Sequence, residues 1–128
     1  MRVLLDTHAF LWWDGAPEQL SPQALALCQD AQNTLLLSVV SIWEMQIKAQ
    51  LGKLKLDVPL RETIESQQKV NGIKVLPVTL EHVLAVENLP ALHKDPFDRL
   101  LIAQALVEKA VLLSKDANLA QYPVRVMW

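Results

Sequence analysis

Four carboxylates in this sequence stand where chemistry could be done. Asp6 directly follows the apolar run Val3-Leu4-Leu5, and Asp116 follows Val111-Leu112-Leu113 with only Ser114 and Lys115 between. Glu44 and Asp98 each fall in the first turn of an expected helix. If the first and last of these apolar runs are strands of a parallel sheet, all four acids can point into one crevice beyond the strands' carboxyl ends. Carboxylates gathered in that way repel one another and lose solvation, so the arrangement implies a cation. Every donor is an oxygen, with neither a cysteine nor a histidine pair at ligand spacing, which favours Mg²⁺ or Mn²⁺ over zinc. Such an ion can polarise a phosphoryl oxygen and supply a deprotonated water for in-line attack on a phosphodiester, with no separate histidine base.

Each acid also has a plainer reading. Ser41-Ile42-Trp43-Glu44 fits a capping box, and Glu44 can pair with Lys48 one turn on. Asp98 follows Asp95 by three residues, where an acid suits the helix dipole with or without a metal. Asp116 in Lys115-Asp116-Ala117-Asn118 can make an Asx turn. Asp6 differs: an acid ending a buried strand has poor access to water in most architectures, and function is the better account of it.

The elements that must position these acids can be read from hydrophobic pattern. Apolar runs at Arg2 to Leu5, Thr34 to Val40, Ile73 to Val78, Ala110 to Leu113 and Val124 to Met127 are strand candidates of the kind buried on both faces. Ser21-Pro22 opens a helix with Ala24, Leu27, Cys28 and Ala31 on one face. Ser41 is placed to cap a second helix, with Trp43, Ile47 and Leu51 along one side and Gly52 at its end. A third, from about Leu60 to Val70 and stopped by Asn71-Gly72, has a thin apolar stripe and should lie at the surface. Thr79 starts another, expected to turn Leu80, Val83 and Leu84 inward. Asp95-Pro96 opens the last, with Asp95 the natural cap. Leu100 to Val107 is apolar on nearly every side, so that helix should be the most buried. The alternation predicts an α/β fold: a mainly parallel central sheet of about five short strands with helices on both faces, in a single domain spanning residues 1–128.

Bulk composition limits the alternatives. Of 128 residues 52% are hydrophobic, but charges interrupt them, and no run approaches the ~20 residues of a membrane span. A soluble chain that stays in the cytoplasm, without membrane contact, is the expectation. The lone Cys28 suits a buried thiol in a reducing compartment. Twelve Lys and Arg against fourteen Asp and Glu give a formal charge of −2, which argues against holding nucleic acid by bulk charge. A polyanion must be met locally, by Lys94, Arg99 and Lys115 or by the cluster Lys48, Lys53 and Lys55.

Taken together, Leu4-Leu5-Asp6-Thr7-His8, Ser41-Ile42-Trp43-Glu44 with Leu51-Gly52-Lys53-Leu54, the block from His93 to Ala105 that contains Asp95-Pro96-Phe97-Asp98-Arg99, and Leu113-Ser114-Lys115-Asp116 resemble the PIN-domain nucleases. The closer resemblance is to the VapC-type toxins of bacterial and archaeal toxin–antitoxin pairs. The late block is the most specific of these motifs. The resemblance implies that Asp6, Glu44, Asp98 and Asp116 are metal-binding acids, supported by Thr7, Asp95, Arg99 and Ser114. It also implies Mg²⁺-dependent endonucleolytic cleavage of RNA, with Mn²⁺ a possible substitute, a cognate antitoxin as partner and a homodimer. Ser114 stands where many relatives carry Thr and keeps the hydroxyl, which should orient a carboxylate or a water.

A competing reading is a PIN-like module that binds RNA or protein without cutting; retention of all four acids argues against it. A phosphatase or phosphoacceptor domain would want a second Asp two residues beyond Asp6, and that position is His8. His82 is expected at the surface of its helix, and His93 to order the loop before the last one. Because adjacent helical residues cannot both face one core, Trp12 and Trp13 are expected to serve an interface.

Overall fold

The computed structural model of the chain describes residues 1–92 and 95–128, so the readings placed on His93 and Lys94 lie outside the described residues. Five short apolar segments form strands: β1 (Arg2–Leu5), β2 (Thr34–Ser38), β3 (Lys74–Leu76), β4 (Val111–Leu113) and β5 (Val126–Met127). Six α-helices connect them: α1 (Thr7–Gly15), α2 (Pro22–Gln29), α3 (Val39–Gln50), α4 (Leu60–Asn71), α5 (Leu80–Ala85) and α6 (Pro96–Glu108). The strand order is β3-β2-β1-β4-β5, and every neighbouring pair runs parallel.

Strand alternation decides the layers, because successive side chains point to opposite faces. Leu4, Leu36, Leu76 and Leu112 enter one core with Leu101, Ile102 and Ala105 of α6. Val3, Leu5, Leu35, Leu37 and Leu113 enter the other with Ala9, Phe10, Ala24, Cys28 and Met45. Both faces are covered, which is why successive strand residues such as Val3-Leu4-Leu5 and Leu35-Leu36-Leu37 are apolar on both. The anticipated three-layer α/β fold is observed, and α6 is its most buried helix, with Leu101 to Ala105 all inside.

Several local expectations are corrected. The second strand ends at Ser38 rather than Val40, and Ser38, not Ser41, caps α3 by accepting the Val40 N–H. Ser41 lies inside the helix, buried, and its hydroxyl finds no hydrogen-bond partner among the described residues. The helix after Thr79 is rotated from the expected orientation: Leu80, Val83 and Leu84 face outward, while His82 is fully buried. Its Nδ1 accepts the Thr79 N–H, Thr79 Oγ1 accepts the His82 N–H, and Nε2 lies 2.8 Å from Glu108 Oε2. The inward stripe is thus His82, Ala85, Val86 and Leu89, a helical repeat offset from the apolar one. Polar anchoring of a six-residue helix outweighs its thin apolar face.

Candidate active site

In the order β3-β2-β1-β4-β5, chain connections leave in opposite directions from β1, which places a crevice beyond the carboxyl ends of β1 and β4. Asp6 ends β1. Its backbone N–H bonds the Leu113 carbonyl of β4, and its Oδ1 caps α1 by accepting the Ala9 N–H at 2.8 Å. Ser114, at the exit of β4, is buried; its hydroxyl acts on Asp6 to favour the carboxylate and accepts the backbone N–H of Asp116 at 3.1 Å. Two strand ends are thereby tied at one point.

A pocket of about 170 Å³ opens there, lined by Asp6, Thr7, His8, Glu44, Lys48, Asp95, Asp98, Asp116 and Leu119. All four acids singled out in the sequence border it. Thr7, buried in the first turn of α1, donates its hydroxyl to Glu44 Oε1 at 2.5 Å. Lys48 meets the other oxygen of Glu44 at 3.1 Å from one turn further along α3. Asp116 Oδ1 accepts the Asn118 N–H, so the Asx-turn reading of that acid also holds. Asp95 is the cap of α6, its Oδ1 accepting from Phe97 and Asp98. A larger cleft of about 560 Å³ beside Ile42, Leu60 and Ile64 gathers no carboxylate cluster.

Burial pushes the Asp6 carboxyl above its ordinary range; the Ser114 hydroxyl, the Ala9 N–H and His8 pull the other way, and Glu44 adds to the rise. A carboxylate in that position is short of positive charge. Among the described residues no three His, Cys, Asp or Glu side chains converge closely enough to enclose a bare metal ion. The donor chemistry nevertheless fits a hydrated one. Mg²⁺ is held through one or two carboxylates and keeps several waters. A pocket of about 170 Å³ leaves room for such an ion with its waters.

Other cations named in the sequence fall in different places. Lys48 lines the pocket, a role signalled by its spacing from Glu44. Arg99 donates to the carbonyls of Pro90 and Val86, bracing the segment before α6. Lys53 and Lys55 are exposed beyond the end of α3 and do not line the pocket. His8 lines it beside Asp6; its spacing two residues beyond the first acid was the available signal. Trp12 and Trp13 are both half-buried against the same core layer, which corrects the expectation that they could not share one.

The sequence profile described as the PIN domain matches residues 3–124. The chain is 28% identical over 121 residues to Ribonuclease VapC22 of Mycobacterium tuberculosis, covering 94% of this chain and 91% of the relative. The fold is similar to a chain in the crystal structure of VapBC2 from Rickettsia felis bound to a promoter DNA fragment, with a TM-score of 0.75, 16% identity, and coverage of 99% and 98% of the two chains. It is also similar to VapBC-1 from nontypeable Haemophilus influenzae, with a TM-score of 0.63, 18% identity, and coverage of 99% and 97%. No helix among the described residues is long and apolar enough to cross a membrane.

Proposed function

The chain belongs to the PIN-domain family, and from that premise we propose that it is a Mg²⁺-dependent endoribonuclease, the toxin of a toxin–antitoxin pair, acting in the cytoplasm as a single-domain protein. The observation that carries this reading is the meeting of Asp6, Glu44, Asp98 and Asp116 around one small pocket, from four separate segments. The relative named as a ribonuclease and the fold likeness to VapBC proteins support it.

In this reading Asp6, Glu44, Asp98 and Asp116 would together hold hydrated Mg²⁺, or Mn²⁺ in its place, in part through its waters. When bound, the ion supplies the charge that polarises a phosphodiester and acidifies the attacking water. The rest falls to the protein. Thr7 fixes the rotamer of Glu44, Ser114 orients Asp6, and Asp95 holds the first turn of α6 so that Asp98 faces the pocket. Lys48 neutralises Glu44 and lines the pocket, where it would meet a substrate phosphate. A cognate antitoxin would inhibit by sending a basic side chain to the same carboxylates while an apolar helix docks nearby, and the toxin is read as a homodimer.

The test is cleavage of RNA by the purified chain with Mg²⁺, with Mn²⁺ and with EDTA. Cleavage in both metals that EDTA and Asp98→Asn abolish is expected, as is inhibition by the small protein encoded alongside. Cleavage that survives EDTA would overturn the metal-dependent mechanism. A complex with that small protein cutting as fast as the free chain would overturn the toxin–antitoxin assignment.

A further inference from the structure

A second cleft, of about 360 Å³, adjoins the acid pocket and shares Asp6, His8 and Asp116 with it; Trp12 and Lys115 complete its wall. Its volume falls in the range of small-ligand sites, about 300–1,000 Å³. His8 and Trp12 lie one turn apart on the same side of α1, with ring centroids 5.8 Å apart and planes tilted by 39°. Trp128, at the end of the chain after β5, meets the Trp12 ring at 5.7 Å. Lys115, leaving β4, holds its ammonium 5.7 Å from the centroid of that ring. Among the described residues it has no carboxylate within ion-pair distance.

Trp13 provides the contrast. It lines a different cleft, and its indole N–H is buried without a partner among the described residues. Trp12 therefore borders the acid site through its place on α1, rather than as one of a pair doing the same work.

Resting on the nuclease reading above, we propose that this cleft is the subsite for one unpaired nucleotide of the RNA next to the scissile phosphate: its base stacks on Trp12, beside His8, and its phosphate takes the Lys115 ammonium. Single-stranded nucleic acid is held by this combination, since every base has a π-face and every linkage a negative charge. In a chain with net charge −2, a cation aimed at the cleft shared with two acids is the local positive charge that a polyanion needs there. Without RNA, the lysine rests over the indole, a cation–π contact weak enough to exchange for phosphate.

The experiment measures equilibrium binding of a labelled, mixed-sequence single-stranded RNA in EDTA, and steady-state cleavage of the same RNA in Mg²⁺, for the full chain and four variants. Trp12→Leu should weaken binding roughly tenfold and raise KM correspondingly with little change in kcat. Trp12→Phe should recover most of that loss. Lys115→Ala should make the dependence of log affinity on log salt shallower by about 0.7, the signature of one lost phosphate contact to a single strand. Trp43→Leu, an exposed tryptophan outside the cleft, should bind as the parent does. The proposal falls if folded Trp12→Leu binds RNA normally, or if Trp12→Leu fails to fold and Lys115→Ala leaves the salt slope unchanged. It also falls if Trp12→Leu loses only an inhibitory protein partner while keeping RNA affinity. Parent protein that binds RNA with these dependences but never cuts it would sink the nuclease reading and leave the subsite standing.

Discussion

The Oδ1 atom of Asp95 accepts the backbone N–H of Asp98 at 3.3 Å, so one acid of the pair holds the helix turn that carries the other. Asn caps a helix about as well as Asp, so Asp95→Asn is expected to keep the fold and most activity, and Asp95→Ala to lose about 0.5–2 kcal/mol. Asp98→Asn keeps shape but removes charge that a hard cation needs. With several kcal/mol of transition-state stabilisation at stake, its cleavage rate should fall roughly a hundredfold or more. RNA cleavage at saturating Mg²⁺ and melting curves for the three variants check this. Equal losses in both Asn variants would mean that Asp95 also serves the metal or its waters.

Burial raises the Asp6 carboxyl pKa while the proposed function requires the anion, so the charge there costs stability. Asp6→Asn retains a cap for α1 and should melt at or above the parent temperature in EDTA. Millimolar Mn²⁺ should raise the parent's Tm, by the equivalent of about 2.7 kcal/mol at a hundred times Kd, and leave Asp6→Asn almost unmoved. Paired melts with and without metal decide it; a parent Tm indifferent to Mn²⁺ would remove the metal from the account.

Ser38 and Ser41 look interchangeable in sequence but differ in what their hydroxyls touch. Ser38 Oγ accepts from Val40 and donates to buried Gln104, joining the start of α3 to α6. Ser38→Ala should cost about 1–3 kcal/mol, because it leaves Gln104 short of a partner as well as removing a cap. Ser41→Ala removes a buried hydroxyl without a partner and should be neutral or stabilising. Denaturant midpoints measure both, and a destabilised Ser41→Ala would mean that its hydroxyl is satisfied after all.

Glu108 carries a pH dependence. Its hydrogen bond with His82, with help from Arg2, lowers its pKa below the usual 4.5. The unfolded chain then binds more protons across that window, so stability rises with pH through it. The contribution is fully present above 4.5 and is lost as pH falls through the lowered folded value. Glu108→Gln should be less stable than the parent at neutral pH, with the gap closing in acid. Denaturant unfolding at several pH values reads this directly; a gap independent of pH would assign the loss to packing alone.

How much of this was legible beforehand depended on the range of the interaction. The cap at Asp95, the stop at Gly72, the strands and the burial of α6 follow from local spacing and were read from the chain. Asp6, Asp98 and Asp116 follow a strand or sit in a helix's first turn, which is a local pattern; Glu44, expected in a first turn, lies instead in the second turn of α3, because that helix starts at Val39. The sequence offered the Glu44–Lys48 pair but could not say that Thr7 takes the other oxygen of Glu44. Nor could it say that Trp12 and Lys115 share a wall with the acids. Those relationships join residues far apart in the chain, and only the stacking of β1 against β2 and β4 brings them together. The rotation of α5 shows the reason most clearly. Its apolar residues predicted one inward face, and long-range bonds from His82 to Glu108 and Gln104 selected another, because satisfying a buried polar group outweighs a few exposed methyl groups.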